Sequence, residues 1–191
     1  INDGGNLSIA GDLSILNNGS ATTSQVLFSN GSAASVTVNG STTITNSGTG
    51  TTSRIYVGNQ GDIVFNGTVD LINSSGVANS QIYCNYNSNS SNNYNQNMTV
   101  SCTDASSDGI LFGNANGTGT LAASRTITIG GSGYLAGNLY FRNFTQIGAT
   151  AQAMTATGTT YFRNIDSNWG GNVDFRSPRM YTRGTTYNQT A

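Results

Sequence analysis

A short strand-like motif recurs along the chain and constrains the fold more than any other feature. It alternates apolar with other residues and often ends in Asn, as in residues 26–30 (VLFSN) and 139–143 (LYFRN). Successive copies recur at nearly regular intervals, with a longer last step, and they begin at Val26, Ile55, Ile82, Ile110, Leu139 and Val173. A near-constant period of this kind is the signature of a repeat architecture.

A second motif lies between these copies and is interrupted by glycine turns, as in residues 63–71 (IVFNGTVDL). Each repeat therefore holds about three short strands, and a strand of four or five residues cannot bury its apolar face alone. Stacking each strand on its counterpart in the next repeat provides a continuous core. The sequence predicts an all-β parallel β-helix of about seven coils, with a repeat of roughly 28 residues. It favours a right-handed helix, because the steps are not multiples of six.

Columns of equivalent residues support this prediction. Two inward columns are uniformly apolar, and one of them includes Phe28, Cys84 and Phe112. The outward column beside them forms an aromatic and aliphatic stripe that would either bind a ligand or pack as a cross-strand ladder, at Leu27, Tyr56, Tyr83, Leu111 and Tyr140. Asparagines align at the following turn, where they would tolerate a left-handed backbone and bond along the stack, at Asn30, Asn59, Asn114 and Asn143.

The repeat is less regular in two segments of the single domain spanning residues 1–191. Residues 85–97 are rich in Asn and Ser, which predicts a protruding low-complexity loop. Residues 144–172 predict a longer, irregular coil that contains Trp169. The first and last coils are incomplete in complementary ways, so we expect both ends to be open. The chain would stack head to tail or continue a longer array.

Composition excludes several functional classes. The chain has no His, Lys or Glu, so a His-containing catalytic triad, a histidine metal site and a glutamate acid or base are impossible. With a net charge of −1 and no long apolar run, the sequence indicates neither nucleic-acid binding nor a membrane span. We expect no enzyme activity and no cofactor. Asp-based cleavage of a polysaccharide stays open as an alternative, because many parallel β-helices act on polysaccharides.

Two smaller features leave alternatives open. Cys84 and Cys102 would form a disulfide if exported, or remain buried free thiols. Asp104 and Asp108 share one turn and form a weak calcium candidate with backbone oxygens, although no known calcium-binding motif is present.

Three segments carry a resemblance to known proteins: residues 39–48 (NGSTTITNSG), 124–130 (SRTITIG) and 139–146 (LYFRNFTQ). They resemble the β-strand-repeat surface proteins of Bacteroidota that the type 9 system exports, and more distantly filamentous-haemagglutinin-like adhesins. The resemblance implies an extracellular or cell-surface fibre with a structural or adhesive role. The outward aromatic stripe indicates a surface polysaccharide as a partner, because exposed aromatic stripes often bind sugars. Outward Thr residues raise ice binding as a further alternative. Two Thr-rich columns are predicted, although Val64 and Asp70 interrupt them: Ser8, Thr37, Val64, Thr99 and Thr128, and beside it Ser14, Thr43 and Asp70.

Overall fold

The computed structural model describes residues 1–77, 79–86, 90–102, 109–113, 117–129, 134–135, 137–163, 167–183 and 187–189. Across these ranges the regular structure consists entirely of β-strands joined by turns and bends, with no helix. Strand pairing is parallel throughout these ranges, and each strand pairs with a strand from a neighbouring repeat. The chain therefore forms a parallel β-solenoid.

The first twelve strands are β1 (Asn6–Ile9), β2 (Leu13–Asn17), β3 (Thr23–Phe28), β4 (Ser35–Val38), β5 (Thr42–Asn46), β6 (Thr52–Val57), β7 (Asp62–Phe65), β8 (Val69–Asn73), β9 (Ser80–Cys84), β10 (Ser91–Tyr94), β11 (Met98–Cys102) and β12 (Gly109–Phe112). The others are β13 (Thr118–Leu121), β14 (Ile127–Ile129), β15 (Tyr134–Leu135), β16 (Leu139–Phe141), β17 (Phe144–Gln146), β18 (Gln152–Ala156), β19 (Thr159–Arg163), β20 (Ser167–Trp169), β21 (Val173–Arg176), β22 (Arg179–Arg183) and β23 (Tyr187–Gln189).

Three long stacks of strands form the faces of the solenoid. Face 1 has the order β1-β4-β7-β10-β13-β17-β20-β23, and face 2 has the order β2-β5-β8-β11-β14. Face 3 has the order β3-β6-β9-β12-β16-β19-β22. A smaller C-terminal sheet contains β15, β18 and β21.

The core is built from the alternate residues that point inward from all faces. In β4 and β7, Val36, Val38, Ile63 and Phe65 are fully buried, while the residues between them are half-buried. This is the period-2 pattern of strands with one face on a core. Because equivalent residues stack coil upon coil, a single apolar core runs along the solenoid.

The regular part of the solenoid comprises about four turns. On face 3, Val26 pairs with Ile55, which pairs with Ile82, followed by Ile110 and Leu139, at a nearly constant spacing along the chain. The predicted count of seven coils is not supported. Beyond Leu139 the steps along the chain become shorter, and they lead to Thr160 and then to Met180.

The predicted sixth copy of the first motif was wrong. Val173 does not continue the column of Leu139; it pairs with Gln152 in the C-terminal sheet. Thr160 and Met180 occupy the predicted column instead. The sequence pattern misled because Val173–Arg176 has the same apolar alternation as the earlier copies, whereas Thr160 is a polar residue at an inward position.

Residues 85–97 are not simply a protruding loop. They contain β10, which pairs in parallel with β7 and β13 and buries Asn92 and Tyr94. The Tyr94 ring stacks on Phe65 with centroids 5.6 Å apart. Composition obscured this strand because its inward positions carry Asn and Tyr rather than aliphatic residues.

Residues 144–172 are also more regular than predicted, since they contain β17, β18, β19 and β20. Trp169 is fully buried and packs edge-on against Phe141 with centroids 5.0 Å apart. Phe112 and Phe144 lie in the same aromatic cluster, which also contacts Phe175. Large rings therefore fill the core where the coils become shorter.

Candidate contact surface on face 3

The outward stripe predicted from the sequence exists on face 3. Parallel pairing aligns Leu27 with Tyr56, then Tyr83, Leu111 and Tyr140 in one column. In the strand register this column continues beyond the predicted stripe, because Tyr161 and Tyr181 follow Tyr140. The sequence does contain a sign of this continuation, because Tyr140, Tyr161 and Tyr181 recur at a regular interval. That interval is shorter than the period of the earlier coils.

Three tyrosines and one arginine form an aromatic cluster in this stripe. The Tyr56 and Tyr83 rings stack nearly parallel, with centroids 4.8 Å apart and an interplanar angle of 5°. That distance equals the spacing between paired strands, so the stack follows directly from the register. Tyr86 packs edge-on against both rings, at 5.1 and 4.5 Å. Arg54 donates to the Tyr56 hydroxyl at 3.2 Å and lies 5.9 Å from the centre of the Tyr83 ring.

A surface pocket of about 220 Å³ lies beside this cluster. It is centred on β12, whose outward residues Gly109 and Leu111 are smaller than those of the strands on either side. Gln81 and Tyr83 line it from β9, and Tyr140 lines it from β16. Ile110, Phe141 and Arg142 complete the lining.

The predicted Asn ladder is present in part. The Asn59 side chain donates to Asn30 Oδ1 at 2.6 Å, and Asn30 donates to Asp3 Oδ1 at 3.1 Å. Asn143 has the expected left-handed backbone, with φ of 56°. In the earlier coils the left-handed residue stands one position before the predicted Asn, at Ser29 and Gly58. Asn114 lies outside the described residues.

A second ladder, which the sequence pattern did not predict, is buried at the corner between faces 2 and 3. Asn46 and Asn73 occupy one column and are fully buried. Asn73 donates to the carbonyls of Ser53 and Gln81, at 3.0 and 3.1 Å, and accepts from the hydroxyls of Ser53 and Ser80. Asn46 makes the equivalent bonds one coil earlier. A buried amide whose partners are all supplied locally holds the corner together.

Cys84 and Cys102 are both buried, and in the structure they are thiols that no disulfide joins. Cys102 follows Asn73 in the buried Asn column, and its thiol lies 3.6 Å from the Ser80 carbonyl. Cys84 lies in the inward column of face 3, on a different strand. Burial raises the pKa of the Cys84 thiol to about 12, although a hydrogen bond with Tyr94 lowers it somewhat.

Two of the described aspartates bond one coil to the next. The carboxylates of Asp12 and Asp62 accept backbone amides of the next coil, from Ser41 and Ser91, each at 2.7 Å. Burial raises the pKa of Asp70.

The weak calcium candidate Asp104 and Asp108 lies outside the described residues. Among the described residues, no group of three or more His, Cys, Asp or Glu residues could hold a metal ion.

The Thr columns behind the ice-binding alternative have a different register from the predicted one. Thr99 and Thr128 do not continue the column of Val64; they follow Thr43 and Asp70 on face 2. Asp70 therefore interrupts the Thr column of face 2. A flat, regular Thr array is not formed by these residues.

The chain matches no family model, no curated protein and no solved structure in the comparisons made. Within the described ranges, no helix is long and apolar enough to cross a membrane. The arrangement defines a class by geometry alone: a parallel β-solenoid with a tyrosine-rich outer face.

Proposed function

We propose that this chain is a rigid structural and adhesive segment of an extracellular bacterial surface fibre, acting by contact rather than by catalysis. The observation that supports it is the unbroken parallel pairing on faces 1 and 3. Backbone hydrogen bonds between coils run along the solenoid axis, so they resist bending and extension along its whole length. In this proposal the coils follow a right-handed path.

The first coil, which contains β1 and β2, supports self-association. The inward residues Leu7, Ile9, Leu13 and Ile15 are only half-buried, although the equivalent Val36, Val38 and Ile44 are fully buried. Another level placed on this surface would bury these side chains and pair the backbone of β1, β2 and β3. That level would come from a second copy or from further coils of the same protein.

Electron microscopy of the purified chain over a concentration series tests this proposal. We expect rods that lengthen with concentration, because stacking without closure forms filaments. Ile15→Asp should abolish the lengthening by placing a charge in the contact, whereas Leu16→Asp, at an outward site 66% exposed, should not. A circular dichroism melt checks that both variants fold. Folded wild-type particles that are short at every concentration would contradict self-stacking.

Face 3 is the proposed adhesive surface, because several tyrosines of its outward column remain accessible to a partner. Tyr83 and Tyr140 are half-buried and Tyr181 is 54% exposed, whereas Tyr56 is buried against Tyr86. Tyrosine combines a large apolar area with a hydrogen-bonding group, which suits contact with sugars and proteins. Asp12 and Asp62 bond backbone amides of the next coil, which does not favour a role for these two residues in Asp-based polysaccharide cleavage.

A further inference from the structure

The aromatic stripe of face 3 is interrupted at one strand, and the interruption forms a pocket. At β12 the outward residues are Gly109 and Leu111, between Gln81 and Tyr83 on β9 and Tyr140 on β16. The strands on either side of β12 are about 9.6 Å apart, which is two strand spacings. The pocket is therefore a notch between two tyrosines of the same column.

The walls of this notch have defined orientations. Tyr56 stacks against Tyr83 from the preceding coil, and the pocket borders Tyr83 on the side of the following coil. The Tyr83 hydroxyl bonds the Gln81 side-chain oxygen, and Asn138 donates to the Tyr140 hydroxyl at 3.2 Å. These contacts hold both tyrosines in place before any ligand arrives, which lowers the entropic cost of binding.

The floor of the notch depends on Gly109. Its φ of +107° is rarely adopted by residues with a side chain, and a Cβ atom there would overlap the Asn138 carbonyl oxygen. The backbone at this position therefore requires glycine. The close approach of Gly109 to the Asn138 backbone is therefore set by the chain path and does not depend on side-chain rotamers.

We propose that this notch binds one pyranose ring of a glycan, placed between Tyr83 and Tyr140 over Leu111. Its volume of about 220 Å³ is below the roughly 300 Å³ at which pockets for drug-sized ligands begin, so it fits a single ring. The apolar C–H face of a pyranose stacks on an aromatic ring, and its hydroxyls bond amides and guanidinium groups. Gln81 and Arg142 supply those groups at the edge.

This inference rests on the proposed adhesive role of face 3 and gives it a ligand class. It is independent of self-stacking, because the notch lies on β9, β12 and β16, far in sequence from β1 and β2. Failure of glycan binding would therefore leave the filament result unchanged. Failure of stacking would likewise leave the binding result unchanged.

The test is binding of cellohexaose, a neutral glycan, and of hexagalacturonate, an acidic one, measured by saturation-transfer NMR and calorimetry. Leu111→Tyr should weaken binding at least about tenfold, because a tyrosine at this position would fill the notch and continue the existing stack. Leu27→Tyr is the matched control, since it makes the same change in the same column away from the pocket. We expect its affinity to stay within about twofold of wild type.

The two glycans distinguish stacking on the tyrosine rings from charge pairing with Arg142. Binding of both supports recognition through ring stacking, and binding of hexagalacturonate alone supports an added contact between its carboxylate and Arg142. The proposal is overturned if neither glycan binds wild type at about 10 mM. It is equally overturned if Leu111→Tyr, shown to be folded by its circular dichroism, binds as wild type does.

Discussion

At the scale of single residues, the corners of this solenoid depend on buried amides that no apolar pattern reveals. Asn73 joins Ser53, Ser80 and Gln81 across a corner through both ends of its side chain. Asn66, by contrast, lies on an exposed ladder between Asn39 and Asn95, with amide distances of 2.8 Å. The same residue type thus serves two purposes, which differ in exposure to water.

Asn73→Ala should lower the free energy of unfolding by about 2–4 kcal/mol, because it leaves buried carbonyl and hydroxyl groups without partners. Asn66→Ala should cost less than about 1 kcal/mol, since water replaces its bonds. Urea unfolding of both variants measures the difference. Equal losses would mean that burial does not distinguish the two ladders.

The buried Cys84 thiol predicts a pH dependence of stability. Its pKa is about 12 in the folded protein against 9.0 for a free thiol, because burial disfavours the thiolate. Between these two pH values the folded protein keeps a proton on the Cys84 thiol that the unfolded chain releases. The stabilising contribution is complete below pH 9 and is lost as pH rises toward 12. Burial raises the pKa of Tyr94 as well and acts in the same direction.

We expect the free energy of unfolding to fall above pH 9, by up to about 1.4 kcal/mol per pH unit for each proton. Cys84→Val should make this fall less steep, and valine suits the site because Val57 precedes it in the column. Urea unfolding at pH 8, 9 and 10 gives the slopes. Identical slopes for the variant and wild type would show that Cys84 does not contribute.

At the scale of elements, one glutamine joins face 2 to the C-terminal sheet. Gln152 begins β18 and is 2% exposed. Its side chain donates to the Arg125 carbonyl at 2.8 Å and accepts from the Ile127 amide at 2.9 Å. These are backbone groups at the start of β14 that a paired strand would otherwise satisfy. The side chain thus replaces part of a strand ladder where one sheet ends and the next begins.

Gln152→Ala should destabilise the protein by about 2–3 kcal/mol, because it leaves a buried amide and carbonyl unpaired. Gln25→Ala, at an outward and half-exposed position of β3, should change stability by less than about 0.5 kcal/mol. Thermal unfolding followed by circular dichroism compares the two. A small effect at Gln152 would show that water or a neighbouring strand replaces its bonds.

At the scale of the whole molecule, each coil contacts only its neighbours, so stability is expected to vary along the axis. The strands β5 and β8 lie between paired strands on both sides, and their inward Ile44 and Leu71 are fully buried. The strands β1 and β2 have one paired neighbour each, and their inward side chains are half-buried.

Hydrogen exchange should therefore be slowest in β5 and β8 and faster in β1 and β2 by several orders of magnitude, because outer coils open without the rest. Mass spectrometry of peptic fragments measures this gradient. Under self-stacking conditions, protection of β1 and β2 should rise. Uniform protection along the chain would instead indicate a single cooperative unit.

Much of the architecture was accessible from the pattern of residues. The period-2 alternation and the recurrence of Val26, Ile55, Ile82, Ile110 and Leu139 determined parallel strands, their register on face 3 and the outward column of tyrosines. They did so because an apolar residue repeated at each coil has one favourable location, the shared core.

Only the tertiary structure decided where polar residues serve as core. Asn73, Asn92 and Gln152 are buried because backbone groups at corners and sheet ends lie within reach of their amides. Those positions depend on how coils of unequal length superimpose. The pocket at Leu111 has the same origin, since a leucine forms a notch only when register places it between two tyrosines. Local sequence specifies whether a residue points into the core or outward, and packing between coils determines which side chains it contacts there.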